Sequence, residues 1–150
     1  MSDPTLPEPE NQLRDATVLP DGRPAGTADG PWVEALDALQ AAPRHHHLVF
    51  ETDRVRILDT RIGPGECTPI HTHRWPAVLH VMQWSDFVRR AADGRVLLDT
   101  RGRPPPVALP FITRSDPLAP HSLENVGPGD LQVISIELKE SAAPDPRTAV

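Results

Sequence analysis

The length, composition and charge of the chain exclude several classes of protein. Its 150 residues suffice for one domain with a hydrophobic core. Aromatic residues make up only 4% and Tyr is absent, so the core must consist mainly of Val, Leu, Ile and Ala, which is typical of β-rich domains. A net charge of -6 and scattered arginines argue against a nucleic-acid-binding protein.

Cysteine usage and the N-terminal sequence bear on the compartment. The single cysteine, Cys67, cannot form an internal disulfide, which favours a reducing environment. No targeting signal is visible at the N-terminus, and no apolar run approaches the roughly 20 residues of a membrane span. We therefore expect a cytoplasmic protein with neither nucleic-acid nor membrane partners.

The chain divides into a central domain between two polar segments. Residues 1–30 are rich in proline and poor in apolar residues, which predicts a flexible arm, and residues 141–150 predict a flexible tail. The domain at 31–140 begins with "DGPWVEALDALQAAP", in which Trp32, Val33, Leu36 and Leu39 share one face before Pro43. This spacing predicts a short amphipathic helix.

From about residue 47 the sequence changes to short runs rich in Val, Ile and Leu, separated by turn residues such as "GPGE", "ADGR" and "GPGD". Nine runs are candidate strands: "HLVFE", "VRILDTRI", "TPIHTH", "AVLHVMQW", "DFVRR", "RVLLDT", "VALPFIT", "PHSLENV" and "LQVISIELKE". Many short strands at even spacing predict an all-β sandwich or closed barrel.

Two histidines in the third run are candidate metal ligands. Side chains alternate along a strand, so His71 and His73 project from the same face with Cα atoms roughly 6.6 Å apart. Two imidazoles placed in this way can close on one metal ion. The structural alternative is a pair of polar residues with no ligand role.

The surroundings of these histidines resemble a known superfamily. "GECTPIHTH" followed by "HSLENVGPGD" is similar to the two motifs of the cupins, in which a glycine precedes H-x-H and a later histidine is followed by an asparagine, here Asn125. The resemblance covers residues 47–139 and implies a double-stranded β-helix, or jelly-roll barrel. It also implies that His71, His73 and His121 hold a divalent metal.

The first motif departs from the usual pattern at one position. Cupins place a glutamate four or five residues after the second histidine, where this chain has Ala77 and Val78. The resulting set is similar to the three-histidine site of cysteine dioxygenase and its relatives. That resemblance favours Fe(II), with Zn, Ni or Mn as alternatives, because all of them accept imidazole ligands.

A set of neutral histidines leaves the charge of the metal uncompensated and favours a small anionic ligand. We therefore expect a dioxygenase or related oxidoreductase acting on a small anionic molecule. A binding or sensor module without turnover, and a cupin fold with an empty site, remain alternatives because this fold hosts many functions.

Further candidates lie outside the motifs. His80 and Arg56 are candidates for residues that support the metal ligands or contact a substrate. The alternative for His80 is a structural histidine, and the alternative for Arg56 is a solvated position at a strand edge. Arg61 and Arg74 are weaker candidates of the same kind. The histidines at 45–47 are expected to form a partly exposed loop cluster. Strands that are apolar on both faces predict a homodimer, unless the leading helix covers the outer face.

Overall fold

The computed structural model describes residues 32–103, 105 and 107–139 of the chain. The arm predicted at 1–30 and the tail predicted at 141–150 lie outside these residues. Within the described part, the chain forms two short helical segments followed by nine strands.

Each strand coincides with one of the runs predicted from the sequence. The bounds are β1 (His46–Glu51), β2 (Val55–Ile62), β3 (His71–His73), β4 (Ala77–Gln83), β5 (Phe87–Ala91), β6 (Val96–Asp99), β7 (Phe111–Ser115), β8 (Leu118–Asn125) and β9 (Leu131–Leu138). The pairing of these strands is antiparallel throughout.

The strands form two sheets with interleaved connections. One sheet has the order β1-β2-β9-β4-β7 and the other the order β3-β8-β5-β6. Chain segments alternate between the two sheets, and inward side chains of both enclose a common interior. The expected double-stranded β-helix is therefore confirmed.

The apolar core fills one part of this interior. Its centre consists of Ile62, Phe87 and Leu131, and the half-buried side chains of Trp84, Leu98, Leu123 and Val133 pack against it. Burial of these side chains provides the main driving force for closing the sheets on each other. Polar and apolar side chains together line the remaining interior space.

The leading helix is shorter than predicted and is interrupted. A 3-10 turn (Glu34–Leu36) precedes the helix α1 (Ala38–Ala41), and Asp37 between them has extended backbone angles. Asp37 caps α1, because its carboxylate accepts a hydrogen bond from the amide of Leu39 at 3.0 Å. Neither segment could span a membrane, and no other described residue forms a helix.

Asn125, the last residue of the second motif, joins elements at one end of the barrel. Its side chain is fully buried and donates to the carbonyl oxygens of Ile62 and Gly129, each at 2.8 Å. Its oxygen accepts hydrogen bonds from the hydroxyl of Ser85 and the amide of Gly127. The motif asparagine therefore holds the β8–β9 turn against β2 and the β4–β5 connection.

The outer face of the five-stranded sheet is apolar and exposed. Ile112 retains 70% of its accessible surface, and Phe50, Met82 and Leu138 are also exposed on this face. The helix α1 packs against β1 and β3, and it leaves these side chains uncovered. The alternative in which the leading helix covers the outer face is therefore wrong for the described residues.

Candidate metal centre

A small cavity lies between the two sheets, beside the apolar core. Its volume is about 90 Å³. Four histidines, one arginine and one glutamate contribute its charged or ionisable lining, namely His46, His71, His73, His121, Arg89 and Glu137. Apolar side chains, including Leu79, Leu118, Leu123 and Val133, form much of the remaining wall.

Strand pairing brings the two cupin-like motifs together. His71 on β3 stands directly opposite His121 on β8, and their ring centroids are 4.4 Å apart. His73 follows on the same strand after an irregularity in register, with its ring 5.1 Å from that of His71 and 5.9 Å from that of His121. The three residues chosen from the sequence thus line one cavity.

A fourth histidine enters from the opposite sheet. His46 on β1 has its ring 4.6 Å from that of His71 and 5.2 Å from that of His73. One ring nitrogen from each of these three residues lies within 4.8 Å of the others, which defines a group able to hold a metal ion. His121 adjoins this group through His71.

The expectation of an exposed loop cluster at 45–47 is therefore wrong for two of its three members. His45 and His46 are buried, at 6% and 3% exposure. The strand begins at His46, so this side chain faces inward opposite Thr60, which also lines the cavity. Side chains alternate between the two faces of a strand, so pairing with the inward residues of β2 is a signal that could predict this orientation. The Pro-Arg turn before β1 hides the start of that strand in the sequence.

The hydrogen bonds of the four histidines determine which ring nitrogen is free. Nδ1 of His71 and Nδ1 of His121 lie 2.8 and 2.7 Å from the carbonyl oxygens of Pro69 and Ala119. Nδ1 of His46 lies 3.1 Å from the carbonyl of Ala42, and Nδ1 of His73 lies 2.8 Å from the carboxylate of Glu137. Carbonyl and carboxylate oxygens can only accept, so Nδ1 must donate in every case.

This shared arrangement leaves Nε2 as the ring nitrogen that can bind a metal on all four histidines. Metal-ligating histidines characteristically donate their other ring N–H to a carbonyl or carboxylate in this way. Ligand nitrogens around one ion are separated by roughly 3 to 4 Å, which is close to the spacing of the group formed by His46, His71 and His73. The residues present therefore fit a divalent metal.

The histidines are held in their neutral form. Burial lowers the pKa of His46 to about 2, and its neighbours His73 and His71 add to this effect. Burial likewise lowers the pKa of His71 to about 3 and places that of His121 well below its usual value. Neutral imidazole is the form that binds metal ions.

A buried ionic network stands behind His73. Glu137 accepts from Nδ1 of His73 with one oxygen and from Nε of Arg56, at 2.6 Å, with the other. Arg56 also donates two bonds of 2.9 Å to Asp37. Burial raises the pKa of Glu137, but the hydrogen bonds from His73 and Arg56 outweigh it and keep the pKa below its usual value.

Arg56 is consequently buried, at 5% exposure, and the expectation of a solvated strand edge is wrong for it. None of the three arginines considered, Arg56, Arg61 and Arg74, lines the cavity. Arg61 is exposed and pairs with Asp59, and Arg74 lies over the ring of Trp75. Glu137 itself carries no motif signal in the sequence, because it belongs to a run that reads as an ordinary strand.

His80 requires a correction. Ala77 and Leu79 of β4 line the cavity, so alternation places Val78 and His80 on the outer face of the sheet. His80 pairs there with Ile112 and Ile134. His80 is therefore not a residue behind the ligands. Of Ala77 and Val78, the two positions at which cupins place a glutamate, Ala77 is the one that faces the cavity.

Comparison with known proteins finds similar chains among solved structures alone. No family model matches the chain, and no curated protein matches it in sequence. Among solved structures, a cupin domain from Bordetella pertussis Tohama I is 16% identical with a TM-score of 0.49, over 63% of this chain and 92% of that one. An RmlC-like cupin family protein from Methanocaldococcus jannaschii is 13% identical with a TM-score of 0.45, over 62% and 77%.

A third similar structure is a predicted oxalate decarboxylase from Thermotoga maritima. It is 18% identical with a TM-score of 0.37, over 58% of this chain and 69% of that one. These similarities concern the fold. The chemistry of the present cavity has to be argued from its own residues.

Proposed function

We propose that this cupin-fold protein binds one divalent metal ion in its cavity through His71, His73 and His121, with His46 as a fourth ligand. The supporting observation is that each ring uses Nδ1 as a donor and leaves Nε2 free. A purely structural histidine has no need for this tautomer, whereas four rings sharing it around one cavity is the arrangement that a metal requires.

The proposed metal is Fe(II), with Zn, Ni or Mn as the alternatives that the same ligands accept. Such an ion supplies a Lewis acid and open coordination positions for exogenous ligands. The protein supplies the rest: Pro69, Ala119 and Ala42 fix the orientation of three rings through their carbonyls, and the carboxylate of Glu137 fixes that of His73.

A dioxygenase or related oxidoreductase acting on a small anionic molecule is the activity we propose for this site. It is favoured by the neutral ligand set, since the one carboxylate nearby, Glu137, is already engaged by His73 and Arg56. A ligand-binding module without turnover uses the same site. Oxygen consumption by the Fe(II)-loaded protein, measured with a panel of small thiols, diketones and hydroxy acids, distinguishes the two, because only the enzyme consumes oxygen.

Metal analysis of the purified protein tests the site itself. We expect close to one equivalent in the wild type and a large loss in His71→Ala and His121→Ala. His80→Ala is the matched control, because it removes a histidine from the outer face of β4 and should retain the metal. Full occupancy in both cavity variants would show that the ion binds elsewhere.

We also propose that the chain forms a homodimer through the outer face of the five-stranded sheet. Exposed apolar side chains on one sheet face, with Ile112 at its edge, favour burial against an identical face. Sedimentation should give a dimer for the wild type and a monomer for Ile112→Glu. Val96→Glu, on the other sheet and also exposed, should remain dimeric. A monomeric wild type would refute the proposal.

A cytoplasmic location completes the proposed function. Cys67 is free and exposed, which is a combination suited to a reducing compartment.

A further inference from the structure

Arg89 lies on the wall of the cavity and takes no part in the metal site proposed above. It occupies the middle of β5, opposite Leu123 of β8, and the next inward residue of β5, Ala91, stands opposite His121. Arg89 and the histidines His71 and His121 line the same cavity. Its guanidinium is therefore close to the space in which a metal would bind its exogenous ligands.

Within the part of the chain that the structure describes, this guanidinium has no counter-ion. Its Nε is buried without a hydrogen-bond partner, and the ion pairs among the described residues do not involve it. Burial alone lowers the pKa of Arg89 to about 10, with no neighbouring carboxylate to offset it. Arginine keeps its charge at neutral pH, so the cavity wall carries a half-buried cation, with a buried Nε, that has no carboxylate partner among the described residues.

The other groups of the cavity cannot balance this charge. The four histidines donate from Nδ1, and an imidazole that donates in this way carries no negative charge. Glu137 is held by His73 and Arg56, and Asp37 by Arg56. Buried charges are normally paired or bound to a ligand, and a divalent metal would add more positive charge. The cavity is thus built to receive an anion.

We propose that Arg89 recognises a small carboxylate, which it holds in the cavity beside the histidine cluster. The carboxylate would meet two positive charges, the guanidinium of Arg89 and the metal ion. For the metal ion, this proposal rests on the proposed function. A guanidinium presents its N–H groups as a planar fork that matches the two oxygens of a carboxylate. Arg89 would therefore fix both the charge and the orientation of the ligand.

The cavity also restricts the size of this carboxylate. Its volume of about 90 Å³ is well below the roughly 300 to 1,000 Å³ of pockets for drug-sized ligands. Leu79, Leu123 and Val133 form an apolar part of the wall and offer no polar partner to a long substituent, whereas Thr60, Thr68 and Ser135 add hydroxyl groups to the rest of it. The ligand class is a carboxylate of few non-hydrogen atoms.

Formate and acetate are the probes for the test. Their affinities for the metal-loaded and the chelator-treated protein are measured by calorimetry and by the shift in melting temperature. We expect Arg89→Met to weaken formate binding by at least tenfold while the metal content of the same sample stays at the wild-type level. Arg90→Met is the matched control: Arg90 is paired with Glu124 and does not line the cavity, so this variant should bind formate as the wild type does.

The two proposals fail in different ways. A wild-type protein without metal refutes the metal site, but the chelator-treated samples still test Arg89, because formate should raise the melting temperature of the wild type and not that of Arg89→Met. Equal formate affinity in the wild type and Arg89→Met overturns the role of Arg89. If Arg89→Met does not fold, Arg89→Lys keeps the charge and removes the fork, so undiminished formate affinity in that variant overturns the proposal.

Discussion

Glu137 stands directly opposite Ala77 in the pairing of β9 with β4. Cupins usually carry a glutamate at or next to the position of Ala77, and this chain places its carboxylate on the neighbouring strand. The carboxylate faces the same interior but contacts Nδ1 of His73. In the proposed metal site, Glu137 would therefore orient His73 and would not bind the metal itself.

The exchange of Glu137 for glutamine tests that role. In Glu137→Gln the neutral amide is a weaker acceptor for His73, and its NH₂ group opposes the guanidinium of Arg56. We expect metal affinity to fall by about 10- to 100-fold, the range seen when a partner behind a ligand is removed. Competition with a metal chelator gives the affinity, and an unchanged value would place His73 outside the metal site.

The network centred on Arg56 should dominate the stability of this end of the barrel. Arg56→Met leaves the buried carboxylates of Glu137 and Asp37 without their cation, and we expect the free energy of unfolding to fall by about 3 to 5 kcal/mol. Denaturant unfolding of the metal-free protein measures it. The control is Arg61→Met, whose exposed pair with Asp59 should contribute far less. Similar losses in the two variants would contradict the importance of the buried network.

The stability of the metal-free protein should depend on pH between neutrality and about pH 4. The folded pKa values of His46 and His71 are lowered to about 2 and about 3, from 6.5 in the unfolded chain. The unfolded state therefore takes up protons first as the pH falls below 6.5, which destabilises the fold. Each histidine should contribute about 1.4 kcal/mol per pH unit in this range.

Urea unfolding at several pH values measures this slope. The loss should be smaller in His71→Phe, in which one of the buried groups that must stay neutral is absent. A free energy of unfolding that is constant from pH 7 to pH 5 would contradict the burial of these neutral rings.

His46 distinguishes the four-histidine site from the three-histidine set implied by the motifs. Because it contributes a ring nitrogen to the closest group in the cavity, His46→Ala should weaken metal binding by more than the ~10- to 100-fold that loss of an outer partner costs. The exposed neighbour His47 provides the control, since His47→Ala should bind metal normally. Wild-type affinity in His46→Ala would make His46 a structural residue.

The sequence predicted the fold well because its signals are local. Alternation within β3 placed His71 and His73 on one face, and Gly, Pro and Asp at the breaks separated the strands. The nine predicted strands and the double-stranded β-helix are confirmed. The link from β3 to His121 depended on the motif resemblance, because pairing between residues 50 positions apart leaves no local pattern.

The rest of the site depends on strand register, which the sequence does not reveal. The prediction that His80 lies behind the ligands or contacts a substrate is wrong because Ala77, and not Val78, faces the cavity, and a shift of one residue reverses the face of a strand. Glu137 reaches His73 only because β9 pairs with β4 in one particular register. His46 and Arg89 are likewise brought to the cavity by sheet assembly and not by spacing along the chain.

The four histidines also have a consequence for how the barrel opens. His46 belongs to the five-stranded sheet, whereas His71, His73 and His121 belong to the four-stranded sheet. A metal ion bound by all four histidines would link the two sheets, so the sheets could separate only after the ion is released. The concentration of free metal would then affect both the occupancy of the cavity and the barrier to unfolding. The barrel would unfold more slowly as the concentration of free metal rises.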